Sequence, residues 1–181
     1  MLVSKKWLFV TFCLFLSVSV GFSEEPKKYL YFLGGGGEAS GDSTIFDNDL
    51  KVAGKFVQSS NWKTTVSFNG GHKKTEEIIK KHWSKAENAG PFVEKSYDAL
   101  LNEMIKKIES GQIKAQDQLL VNIDTHGARA RISEREKTHS IALSGNSATN
   151  LSSLEGASIA SLDRLEKLID VAAKKGVKLA I

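Results

Sequence analysis

Cysteine is nearly missing from this chain. Of 181 residues a single one, Cys13, is a cysteine, and it lies inside the apolar N-terminal run. If that run is removed on export, no cysteine remains. A disulfide, a thiolate metal site and a thiol nucleophile are then all excluded for residues 24–181. Excess charge is also lacking. Without Lys5 and Lys6 the 25 basic residues fall to 23 against 21 acidic ones, too even a balance to predict a nucleic-acid surface. There is no internal repeat and no low-complexity segment.

What is present begins with a leader-like segment. Lys5-Lys6, an apolar stretch from Trp7 to Val20, and small residues Gly21 and Ser23 follow the layout of a secretory signal peptide. The expected cleavage after Ser23 would deliver the product to a periplasm or outside the cell. The competing expectation is an uncleaved anchor, since the run is near the short limit for crossing a bilayer. A lipid-modified Cys13 is rejected because it sits mid-run behind bulky Phe12. Residues 24–181 suit one domain.

Along that domain, strand-like and helix-like patterns alternate. Tyr29–Leu33 reads as a buried strand ending in four glycines, and Asp49–Ser59 as a helix with Leu50, Ala53, Phe56 and Val57 inward. Thr64–Asn69 reads as a strand with Val66 and Phe68 on one face, and Thr75–Trp83 as a short helix. A stronger helix, capped by Ser96, carries Tyr97, Leu100, Leu101, Met104, Ile105 and Ile108 in one stripe and ends at Gly111. Leu119–Asp124 is a third strand, apolar on both faces as in a covered parallel sheet. A helix over Ser161–Lys175, with Leu162, Leu165, Leu168, Ile169 and Ala172 inward, leads through Gly176 to a fourth strand, Val177–Ile181. The order predicts an α/β fold with a parallel sheet and right-handed crossovers. Within the long 129–158 connection, alternating Ile141 and Leu143 predict a small hairpin.

Leu119-Leu-Val-Asn-Ile-Asp-Thr-His126-Gly127 is an apolar strand ending in His-Gly, followed after a loop and a helix by a second apolar strand. This arrangement resembles the clan of cysteine peptidases that includes caspases, legumains, gingipains and clostripain. The resemblance implies a three-layer caspase-like parallel sheet with helices on both faces, ending here at about the fourth strand. In that clan the second strand leads to a catalytic Cys, which this chain does not reach. By carry-over, His126 is the catalytic acid and base and Gly127 an oxyanion donor, because a thiolate attacking a peptide carbonyl needs both a proton for the leaving amine and an amide for the developing charge. The plain alternative is a strand-end histidine bonded to a loop. Asp124 shares the face of His126 two residues away and is a candidate orienter of the imidazole; a solvated strand-end carboxylate is the alternative.

The loop Gly34-Gly-Gly-Gly-Glu-Ala-Ser-Gly-Asp-Ser admits two readings. As a phosphate cradle its spacing fails, because Ser40 stands where a third glycine belongs and no P-loop Lys follows. As a substrate-pocket wall it offers Glu38 and Asp42, with Asp47 and Asp49 beyond, where caspases and legumain carry an arginine. That would favour Lys or Arg before the scissile bond; an acidic helix start is the alternative. Ser147 lacks the glycine framework of a nucleophile elbow. His72, His82 and His139 share no metal-ligand spacing, and the paired lysines read as helix exteriors.

The reading is thus the N-terminal part of an exported cysteine-type endopeptidase, inactive as it stands for want of a nucleophile. It implies no cofactor and no metal. Its partners would be a protein or peptide substrate and a C-terminal segment carrying the Cys, with no nucleic acid. The alternatives are a non-catalytic interaction domain of the same fold, and a small-ligand-binding α/β domain using Gly34–Gly37.

Overall fold

The computed structural model describes residues 24–35, 43–70, 72–131, 137–144 and 159–181. The expected leader lies outside them. In chain order the elements are β1 (Lys28–Gly34), α1 (Ser43–Ser59), β2 (Lys63–Phe68), α2 (Lys73–His82), β3 (Glu87–Asn88), α3 (Glu94–Glu109), β4 (Gln118–Asp124), β5 (Gly127–Arg131), β6 (Lys137–Ala142) and β7 (Ile159–Ser161). A 3-10 turn (Leu162–Leu165), α4 (Glu166–Lys175) and β8 (Lys178–Ala180) follow.

Alternation along β1 divides the core in two. Tyr29, Tyr31 and Leu33 pack with the α3 stripe, with Leu119 and Val121 of β4, and with Leu168 and Ala172 of α4. Leu30 and Phe32 point to the other side, against Phe46, Leu50 and Val57 of α1 and Ile79 of α2. A strand with apolar residues at both parities can only sit between two helical layers. The result is a three-layer α/β fold around a five-stranded parallel sheet of order β3-β2-β1-β4-β8.

The helical layers are joined differently. Between α1 and α2, a Cβ on Gly54 would lie 2.6 Å from the Trp83 Nε1, so glycine is what lets the two segments meet. That indole N–H donates to the Leu50 carbonyl at 2.9 Å, and burying a side chain of this size stabilises by about 3 kcal/mol. Between α3 and the 3-10 turn that leads into α4, Arg164 bonds Asp98 at 2.6 Å and Glu94 at 2.9 Å.

Several expectations need correction. Two-residue β3 makes a fifth strand beyond β2, too short to leave a periodic signal. The first helix starts at Ser43, not Asp49, and α3 starts at Glu94. Ser96 therefore lies inside α3, where its Oγ accepts from the Val93 N–H at 3.0 Å. Phe56, Leu162 and Ile169 are exposed rather than inward, because each lies at the edge of its helical stripe where the sheet gives no cover. The segment holding Ile141 and Leu143 does not alternate in burial, since Ser140, Ala142 and Ser144 are buried with them. It belongs to a three-stranded antiparallel sheet of order β5-β6-β7 that begins directly after His126.

Candidate active site

The chain leaves β1 through α1 toward β2 and leaves β4 toward β8 on the other side. The strand order therefore reverses between β1 and β4. In open parallel sheets the crevice beyond the strand ends at such a reversal is where ligands bind. Gly34-Gly35 closes one side of it and Asp124-Thr125-His126-Gly127 the other.

The two glycines serve close backbone packing. A Cβ on Gly34 would stand 2.0 Å from the Asp124 carbonyl oxygen, and one on Gly35 2.8 Å from the Phe68 ring. The Gly35 N–H donates to the Asp124 carbonyl, and Asn69 N–H to the Gly34 carbonyl, each at 2.8 Å. Both glycines are thus explained without a phosphate. Gly36, Gly37, Glu38 and Asp42 lie outside the described residues, so the loop's two readings end there.

His126 follows the parity of Leu120, Asn122 and Asp124 toward α1. Its ring meets Phe46 at 4.9 Å between centroids with planes 76° apart, and its Nε2 is shut off from solvent. The backbone is held as well. The His126 carbonyl accepts from Ala142 N–H at 2.8 Å, and the Thr125 hydroxyl donates to the Ala142 carbonyl at 2.7 Å. Phe46 was not singled out from the sequence. Its place at helical spacing before Leu50 marks it as inward but not as the partner of a particular side chain.

The register of β5 on β6 orients Gly127. His126 and Ala142 form a hydrogen-bonded pair, so Gly127 and Ile141, next in register, form a non-hydrogen-bonded one. The Gly127 N–H is thereby directed away from β6. Among the described residues β5 pairs with β6 alone, so this amide faces the open edge of the small sheet.

Asp124 shares the face of His126, as the two-residue spacing requires. Its carboxyl lines a cavity of about 360 Å³ with Phe32, Asp49, Val52, Ala53, Asn122 and Ile123. Burial first, and then the like charge of Asp49, push it above the usual carboxylate range. Its Oδ2 is buried and accepts no hydrogen bond, so that oxygen does not hold the imidazole.

The remaining candidates separate. Asp47 is buried, accepting from the Thr75 hydroxyl at 2.7 Å, which in turn accepts from Asn69 Nδ2 at 3.1 Å. It is an internal strut between α1 and α2. His72 is half-buried at the start of α2, His82 lies at its end, and His139 is on β6. Among the described residues no group of three or more His, Cys, Asp or Glu side chains could hold a metal. Ser147 falls outside the described residues. Ser144, also not singled out, is buried and ties the exit of β6 to that of β1 by donating to the Gly35 carbonyl at 2.9 Å.

On the side of β4 away from β1 lies β8, parallel, with Leu119 opposite Leu179 and Leu120 opposite Ala180. The two apolar strands Leu119–Asp124 and Val177–Ile181 are thus neighbours in space. No protein-family model, curated protein or solved structure matches the chain.

Proposed function

We propose that this chain is the N-terminal part of a caspase-like cysteine endopeptidase, in which His126 is the acid and base of a Cys-His dyad. One observation carries the reading. His126 stands two residues past the end of β4 at the strand-order reversal, and β8 runs parallel beside β4 on the opposite flank from β1. Continuing the register from Leu120 and Ala180, a strand extended six positions past Ala180 comes level with His126.

A thiol there would give its proton to the imidazole and attack the peptide carbonyl. The imidazolium would then protonate the departing amine, and water would hydrolyse the thioester with His126 as base. Two parallel strand ends hold such groups on rigid supports. The outward Gly127 N–H is suited to the oxyanion. A basic residue before the scissile bond is the electrostatic expectation from Asp49 and Asp124 at the cavity beside the site. Export by residues 1–23 belongs to the same proposal. With no nucleophile in residues 24–181, the chain alone is expected to be inert, since losing one member of a cooperating set costs about a million-fold in turnover.

The reading frame past codon 181, and the protein made with that continuation, test the proposal. The expectation is an acidic or amide residue, any residue, then Cys within a few codons, and thiol-dependent peptide cleavage lost in His126→Ala. Activity indifferent to His126→Ala would overturn it. A stop codon there with a monodisperse product would favour the non-catalytic interaction domain.

A further inference from the structure

Positive charge is spread evenly in composition but not in space. Residues 51–85 hold eight lysines against Glu76 and Glu77, a balance of +6 in a chain whose total is +4. The remainder is therefore slightly acidic. Apart from β2, whose Lys63 lies over the Tyr29 ring, the fold gathers this segment into one layer, α1 beside α2, over one face of the sheet.

Lys51 and Lys55 on α1 and Lys74 and Lys81 on α2 are all exposed. Lys51, Lys74 and Lys81 line a single groove of about 400 Å³ with Asn48, Ile78 and His82, and outnumber the two carboxylates there, Asp47 and Glu77. Their fields converge. His82 is held below the usual histidine range by desolvation first, then by Lys81, Lys51 and Lys55. On the opposite layer two of the cations are matched, Lys107 with Glu103 and Arg164 with Glu94 and Asp98. Among the described residues no carboxylate pairs with the four lysines of the α1–α2 layer.

Apolar groups accompany the charge. Val52, Lys55, Phe56 and Ser59 stand at i, i+3, i+4 and i+7, one stripe along the outer side of α1. Val52 is 58% exposed and Phe56 59%. A large aromatic projecting from among lysines is the composition of an interfacial helix, whose cations meet headgroup phosphates while its apolar groups enter the acyl boundary. A linear polyanion would have no use for Phe56.

We propose that the outer face of α1 and α2 is a docking surface for an anionic phospholipid membrane, with Lys51, Lys55, Lys74 and Lys81 on the headgroups and Val52 and Phe56 inserted. Attachment is peripheral, since among the described residues no helix is long and apolar enough to cross a membrane. Of these residues Val52 alone also borders the cavity beside the candidate active site; the four lysines and Phe56 do not line it, and variants at those positions test this proposal separately from the first.

Vesicle flotation tests it on the whole chain. Phosphatidylcholine vesicles with about a third phosphatidylserine should carry the protein, and neutral vesicles should not. The combined Lys51→Gln, Lys55→Gln, Lys74→Gln, Lys81→Gln variant should bind more than about tenfold more weakly. Phe56→Ser should make binding markedly more salt-sensitive, because charge alone is screened. Lys106→Gln with Lys167→Gln and Lys174→Gln, exposed on the other layer, should leave binding unchanged. Equal binding by the four-lysine variant would overturn the proposal. So would retention on heparin without vesicle binding, which would mark a linear-polyanion site instead.

Discussion

Gly34 and Asp124 meet backbone to backbone, with room for no Cβ between them: one built on Gly34 would lie 2.0 Å from the Asp124 carbonyl oxygen. The contact sits two residues before His126 and sets the spacing of β1 from β4 at the candidate site. Gly34→Ala should cost about 2–3 kcal/mol, since neither strand can yield without breaking the Gly35 to Asp124 bond. Urea unfolding measures it, and an unchanged midpoint would mean the strand ends are looser than the contact implies.

At the other end of the sheet, Asp117 organises three strand starts. Its buried carboxylate accepts from the N–H groups of Lys27 and Lys114, each at 2.8 Å, and its own carbonyl accepts from Lys178 N–H at 2.9 Å. Asp117→Ala would strand two amides and should destabilise by about 2–4 kcal/mol. Hydrogen exchange at Lys27 and Lys114 should accelerate more than at Leu33, and uniform acceleration would deny the local role.

Asp124 predicts an inverted pH response. Its carboxyl is raised by burial and by Asp49, so the folded state holds this proton more tightly than the unfolded chain does. Its contribution therefore favours the fold below the unfolded carboxylate range and turns unfavourable as pH rises through the raised folded value. Asp124→Asn should be more stable than the parent at pH 7, with the difference closing as pH falls toward the ordinary carboxylate range. Asp49→Asn should recover part of that gain. A difference independent of pH would place its origin elsewhere.

Phe46 and His126 should be coupled. Phe46 is buried and meets the imidazole at 4.9 Å. Phe46→Ala should cost about 3–4 kcal/mol, and Phe46→Leu about 1 kcal/mol while still removing the aromatic contact. The His126 ring signals in an NMR spectrum should move in both variants, and immobile signals in Phe46→Leu would show the contact to be incidental. In a double-mutant cycle with His126→Ala the costs should be non-additive.

Much of this protein can be read locally, because periodicity is a backbone property. Tyr29, Tyr31 and Leu33 against Leu30 and Phe32 declare a strand covered on both faces, and the stripe from Tyr97 to Ile108 declares one side of a helix. Gly111 and Gly176 mark helix ends, and both have left-handed backbones at +74° and +71°. His126 at the end of an apolar run was visible in the same way. Edges were less legible. Phe56 and Ile169 fit helical stripes yet face solvent, since a pattern says which residues share a side but not how far the sheet beneath extends.

Strand order and convergence belong to the tertiary structure alone. That β4 lies between β1 and β8, that Phe46 touches His126, that Asp49 faces Asp124, and that three lysines from two helices line one groove each join residues far apart in the chain. Such contacts depend on how layers close over one another, which no local repeat encodes. The sequence by itself determined the elements and their buried sides through spacing. Only packing decided which side chains became neighbours, and with them where the chemistry and the charge reside.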